Sequence, residues 1–221
     1  MLFRSTRIYI APDAPAIDDG VVLVREGKIA AAGSKNSVSI PAATPVSECS
    51  GGFVTSGFQN NHVHFTGDQW NAARSQSAEA LHGHLDEMLT RYGFTTVVDT
   101  ASDRNNTLAL RSRIENGEVR GPRILTAGLP LYPPNGIPVY LADLPKAFLE
   151  RLPQPATPAE AVKIVTANLQ AGTDATKLFI ATPQAGRTIK RMPAEIARGA
   201  AAQTHPIWRS EERRVGKECR S

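Results

Sequence analysis

Five histidines occur in the 221 residues, and two of them stand one residue apart in Gly57-Phe58-Gln59-Asn60-Asn61-His62-Val63-His64-Phe65. Alternate side chains of an extended segment point the same way, so His62 and His64 would present two imidazoles on one side, close enough to share a metal ion. The plainer alternative is two polar residues at the start of a loop. His82-Gly83-His84 has the same spacing but lies in the helical pattern AEALHGHLDEMLTRY. Positions i and i+2 of a helix do not face each other, so this pair is expected on a solvated helix face. His205 follows another helical pattern and is expected as a helix-end histidine, favoured there by the helix dipole.

Lys177 is the other residue that asks for a reason, because its surroundings, Ala175-Thr176-Lys177-Leu178-Phe179-Ile180, are apolar enough for a strand buried on both sides. A lysine at a strand end can snorkel its ammonium to water. Alternatively, burial lowers its pKa, and the neutral amine can add CO2 to form a carbamate whose two anionic oxygens bridge two metal ions.

The elements that would position these residues fall into two parts. Residues 1–52 alternate apolar and polar positions in Arg7-Ile8-Tyr9-Ile10, Gly20-Val21-Val22-Leu23-Val24 and Lys28-Ile29-Ala30-Ala31-Ala32-Gly33, the pattern of short antiparallel strands in a small β domain. Glu26-Gly27 reads as the turn of a hairpin. Residues 53–208 alternate strands with amphipathic helices, which predicts parallel βα units. Strands are expected at Phe53 to Phe58, Thr95 to Asp99, Pro122 to Ala127 and Ala175 to Ile180, with helices over 78–92, 104–116, from Thr157 to Gly172, and over 193–204. Thr157 with Glu160 three residues on is a capping box, and Ala161, Ile164, Val165 and Leu169 follow at helical spacing. The Pro-rich stretch 128–156 is too long for a turn and is a candidate active-site loop, as is Thr182-Pro183-Gln184. Four βα units make half of an eight-stranded barrel, and strand ends are where barrel sites lie. The expected fold is therefore α/β, a truncated (β/α)8 TIM-type barrel behind a small N-terminal β-sandwich portion. An open doubly wound sheet is the runner-up, but no glycine-rich phosphate turn follows the first strand. The open edges of a half barrel predict poor stability or aggregation.

The composition, 41% hydrophobic and 21% charged, excludes disorder and collagen. Residues 209–221, RSEERRVGKECRS, hold five of the 25 basic and three of the 21 acidic residues, which leaves the body at about +2, no footprint for nucleic acid. One choice of codons for this tail spells a common short-read sequencing adapter, so it is assigned as an assembly artefact, and the gene is expected to run on past Trp208. No apolar run reaches the roughly 18 residues of a spanning helix and no signal-peptide pattern opens the chain, so a cytoplasmic protein without membrane partners is expected. Two cysteines, Cys49 and Cys219, make no disulfide framework.

Taken in chain order, these features resemble the amidohydrolase superfamily, in the group similar to imidazolonepropionases and Xaa-Pro dipeptidases. VVLVREGKIAAAGS is similar to the β-sandwich strand pair ahead of the barrel, GGFVTSGFQNNHVHF to the first barrel strand with its His-x-His, and ATKLF to the strand of the carboxylated lysine. The likeness spans residues 1 to about 208. It implies that His62 and His64 bind the more buried metal, usually zinc, and that the Lys177 carbamate bridges two ions. It further implies hydrolysis of a C–N bond in a small amide, cyclic amide or dipeptide by a metal-activated water; homo-oligomers are common in the family. Asn60 stands where the family commonly has aspartate, which alters a contact around the ligands. The histidines of strands five and six and the proton-carrying aspartate of strand eight have no counterpart, since MPAEIARGAAAQTH resembles the helix before strand five. No catalytic residue is therefore assigned, and the chain itself is expected to be inactive. A different class, a non-catalytic metal-binding or assembly fragment, is the alternative. So is a single-metal barrel in which Lys177 is merely structural.

Overall fold

The computed structural model describes residues 1–215, of which Ser5 and residues 206–215 by backbone alone. Residues 216–221, Cys219 among them, belong to the segment expected to derive from an adapter and lie outside the described residues. The chain divides into two units, Met1–Gly57 and Phe58 onward.

The first unit is a mixed sheet. Strands β1 (Leu2–Tyr9), β2 (Ile17–Arg25) and β3 (Lys28–Ser34) pair antiparallel in that order. Glu26 and Gly27 turn the β2–β3 hairpin with φ of 51° and 72°, the paired left-handed conformation of a tight two-residue loop. Leu2, Val21 and Leu23 form its small core. Two further strands, β4 (Val46–Glu48) and β5 (Phe53–Thr55), run parallel to β1, one along each half of it.

This pairing corrects one expectation. Phe53 to Phe58 is not a single barrel strand: Phe53–Thr55 extends the first sheet, and the chain breaks at Ser56-Gly57 before the next strand. An extended run carries no mark of which sheet will take its hydrogen bonds, so one apolar stretch can serve two sheets in succession.

The second unit opens with three parallel strands, β6 (Phe58–Val63), β7 (Phe94–Asp99) and β8 (Arg123–Thr126), ordered β6-β7-β8. Helix α1 (Ala78–Met88) follows β6, and α2 (Arg104–Glu115) follows β7. Their N-caps are Ser77 and Asp103, whose side chains accept from the Ala80 and Asn106 N–H groups. Val63, Phe65 and Val97 from the sheet pack with Leu81, Leu85 and Leu110 from the helices, so one face of the sheet is covered.

The long connection after β8 contains a short helix, α3 (Lys146–Leu149), and leads to α4 (Pro158–Gln170). The capping box is present: Thr157 Oγ1 accepts the Glu160 N–H at 3.2 Å, and Glu160 Oε2 accepts the Ala156 N–H at 2.7 Å. Ala161 and Val165 bury against Leu131, Ile196 and Ala200 in a second core.

Three further expectations are corrected here. Residues 175–180 form no regular strand; they meet Leu131 through an isolated parallel bridge at Leu178. A small antiparallel hairpin, β9 (Ala181–Pro183) with β10 (Ile189–Arg191), follows where only a loop was expected. Helix α5 (Ala194–Val215) runs through His205, so that histidine is not at a helix end. Among the described residues, no helix is long and apolar enough to cross a membrane.

Candidate metal centre

His62 lies within β6 rather than beyond it, and His64 follows directly after its last residue. The register with β7 slips between Asn60↔Val97 and Val63↔Asp99, leaving one extra residue on β6. Such a bulge re-aims side chains at a strand end. Asn60 stabilises it, its Oδ1 accepting the His62 N–H at 3.0 Å. Val63 and Phe65 then enter the core under the helices while His62 and His64 both lie exposed. The two imidazoles meet edge to face with centroids 5.0 Å apart.

Although much of His64 is exposed, the packing around its ring desolvates it enough to hold the imidazole below its ordinary pKa; His62 and Lys177 act in the same direction, and Asp99 opposes them. The downward shift favours the neutral imidazole, the form that binds metals. The same interactions put Asp99 and Lys177 within electrostatic reach of it, although 35 and 113 residues, respectively, separate them from it in sequence.

Lys177 is half-buried, not enclosed on both sides. Its carbonyl accepts the Leu131 N–H at 2.9 Å, and the Leu131 carbonyl accepts the Phe179 N–H at 2.9 Å, so the loop after β8 fixes the lysine backbone. Its Nζ stands 5.5 Å from the centroid of the Phe179 ring.

The second histidine pair separates as helical geometry requires. His82 Nδ1 lies 3.0 Å from the Arg120 carbonyl, whereas the ring of His84 packs edge-on to Trp70. The two candidate loop segments come together: Thr182 Oγ1 donates to the Gly136 carbonyl at 2.7 Å, and Gln184 Nε2 to that of Ile137 at 3.1 Å.

Among the described residues, no three His, Cys, Asp or Glu side chains converge as a metal site. The donors that do fit a divalent ion are the two imidazoles, on one side of the strand end, with an amine in electrostatic reach of His64. Sequence reasoning passed over Asp99, which is wholly buried beside this pair. Its only signal was a charged residue closing the apolar run Thr95-Thr96-Val97-Val98.

No family model and no curated protein matches the sequence. Solved structures do match in fold. A Bifidobacterium longum protein assigned as a prolidase superposes with a TM-score of 0.68 at 24% identity over 93% of this chain and 46% of its own. Molinate hydrolase gives 0.72 at 17% identity over 93% of this chain and 51% of its own. A Xaa-Pro dipeptidase with methionine bound in its active site gives 0.70 at 16% over 93% and 54%. This chain thus spans about half the length of the structures it matches, and those neighbours are amidohydrolase-family enzymes.

Proposed function

We propose that this chain is part of a metal-dependent hydrolase of the amidohydrolase superfamily, acting on a C–N bond of a small amide, cyclic amide or dipeptide. The observation that carries this reading is the His62–His64 pair: two imidazoles 5.0 Å apart at the end of the first parallel strand, within electrostatic reach of Lys177. The neighbours' fold supports it, since a truncated (β/α)8 barrel behind a β-sandwich portion would show this topology over this length.

In this reading His62 and His64 would hold one divalent ion, zinc or another, and Lys177 as its carbamate would be shared between that ion and a second. Such ions supply a Lewis acid for the scissile carbonyl and bring the pKa of water toward neutrality. The chain's own residues prepare the place. Asn60 fixes the bulge, alternation aims both imidazoles to one side, and partial desolvation favours the neutral form of His64. Carbamate formation joins the neutral Lys177 amine to CO2 through a new N–C bond and releases one proton. Asp99 is not the group that moves protons in the reaction, because it sits with Val97 on the helix-covered side and is enclosed by neutral donors.

A second reading, one ion with Lys177 structural, is favoured by the contact of Lys177 with Phe179, which suits a charged ammonium. We assign residues 209–221 to a translated adapter. Long-read resequencing of the source gene across the codons for Trp208 and Arg209 tests the assignment. The expected frame continues into strands bearing two more histidines and an aspartate. Its product is expected to hydrolyse members of an N-acyl amide and dipeptide panel, with activity removed by chelation. A genomic tail followed by a stop codon favours the metal-binding or assembly fragment instead.

A further inference from the structure

Asp99 closes β7 with none of its surface exposed. Burying a carboxylate costs several kcal/mol unless its acceptor positions are filled. Among the described residues, four neutral groups donate to it. Ser102 Oγ at 2.6 Å and the Ala101 N–H at 3.3 Å reach Oδ1; Thr126 Oγ1 at 2.8 Å and Thr107 Oγ1 at 3.2 Å reach Oδ2. An apolar residue would hold β7 against α2 without that cost, so the charge asks for another reason.

Two of the donors are relays. Ser102 Oγ, while donating to Asp99, accepts the N–H of Phe65 at 2.7 Å. Thr126 Oγ1, while donating to Asp99, accepts the N–H of Gly128 at 3.0 Å. Phe65 is the residue after His64, at the point where β6 has ended. Gly128 opens the connection that reaches Leu131, and Leu131 brackets the backbone of Lys177. One carboxylate therefore holds the exits of both β6 and β8, and those exits lead to the two sides of the candidate metal centre. An acceptor-only group is what this arrangement needs: it forces each hydroxyl to spend its proton on Asp99 and turn its lone pair to the backbone N–H.

We infer that Asp99 is a positioning residue for the metal centre: through Ser102 it fixes the backbone after His64 and so aims both imidazoles, and through Thr126 it fixes the loop that seats Lys177. This rests on the proposed role of His62 and His64.

The test uses the chain with Ser102→Ala, which cuts the relay without removing the buried charge, with Ser102→Thr as the conservative rescue and Asp99→Asn as the stronger perturbation. Two readouts are taken: Co2+ titration followed by its visible spectrum, and NMR couplings reporting the side-chain rotamer of His64 with hydrogen exchange at the Phe65 N–H. The expected result for Ser102→Ala is a 10- to 100-fold weaker Co2+ affinity, a magnitude usual for contacts that orient metal ligands, restored by Ser102→Thr. Faster Phe65 exchange and an averaged His64 rotamer are expected with it. A lower Tm with unchanged rotamer and affinity within twofold of wild type would overturn the inference. If wild-type chain takes up Co2+ no better than His62→Ala or His64→Ala, the functional reading fails, and an unmoved His64 rotamer in Ser102→Ala still overturns the positioning role by itself.

Discussion

Lys177 Nζ stands 5.5 Å from the centroid of Phe179, and the Phe179 ring in turn stacks on Tyr132 at 4.8 Å and 12°. A cation over an aromatic face is stabilised as the ammonium, whereas carboxylation requires the neutral amine. The platform and the proposed carbamate would therefore compete for one side chain.

That competition makes Lys177 a direct test of metal number. In the longer gene product proposed above, Lys177→Ala is expected to lower bound zinc from the proposed two ions to one per chain, counted by elemental analysis after gel filtration. Phe179→Leu should raise the carbamate signal seen by 13C NMR with labelled bicarbonate. Unchanged stoichiometry in Lys177→Ala would leave the lysine a structural role.

The two His-x-His pairs are each other's control. Single His62→Ala and His64→Ala substitutions should weaken Co2+ binding at least about tenfold with little loss of stability, because both rings lie exposed. His82→Ala and His84→Ala should leave binding unchanged. Equal losses from both pairs would point to adventitious surface coordination.

The depressed pKa of His64 fixes the sign of a pH effect. The unfolded histidine takes up its proton near pH 6.5, and the folded one only at lower pH, so its contribution to stability is complete above about 6.5 and is lost as the pH falls toward the folded value. Urea unfolding at about pH 7.5 and about pH 5 should show a smaller pH difference in His64→Asn than in wild type. The same difference in both chains would mean that other groups carry it.

Helix α4 depends on its capping box at the end of the long connection. Thr157→Ala removes the acceptor of the Glu160 N–H and should cost about 1 kcal/mol, read as a lower denaturation midpoint at constant slope. Thr157→Ser should restore most of it. A neutral Thr157→Ala would mean that packing of Ala161 and Val165 against α5 alone sets the helix start.

The features readable from the sequence are those set within a few residues. The left-handed turn at Glu26-Gly27, the box of Thr157 and Glu160, the end of α2 just before Gly117, and the different fates of His62/His64 and His82/His84 all follow from local backbone geometry, whereas α1 stops at Met88, short of the expected residue 92. Period two puts one pair together, and period 3.6 parts the other.

What the tertiary structure decided depends on partners distant in the chain. Phe53–Thr55 joined the first sheet because β1 offered it hydrogen bonds, and Ala175 to Ile180 formed no regular strand because it meets the preceding segment through an isolated bridge at Leu131 rather than a ladder. Asp99 escaped notice for the same reason: its donors come from the loop after it, from α2 and from β8. A residue's own chemistry and its near neighbours are written in the sequence. A strand's partner, and the groups that enclose a buried carboxylate, come into being only when distant segments pack and leave their polar atoms no water to bond with.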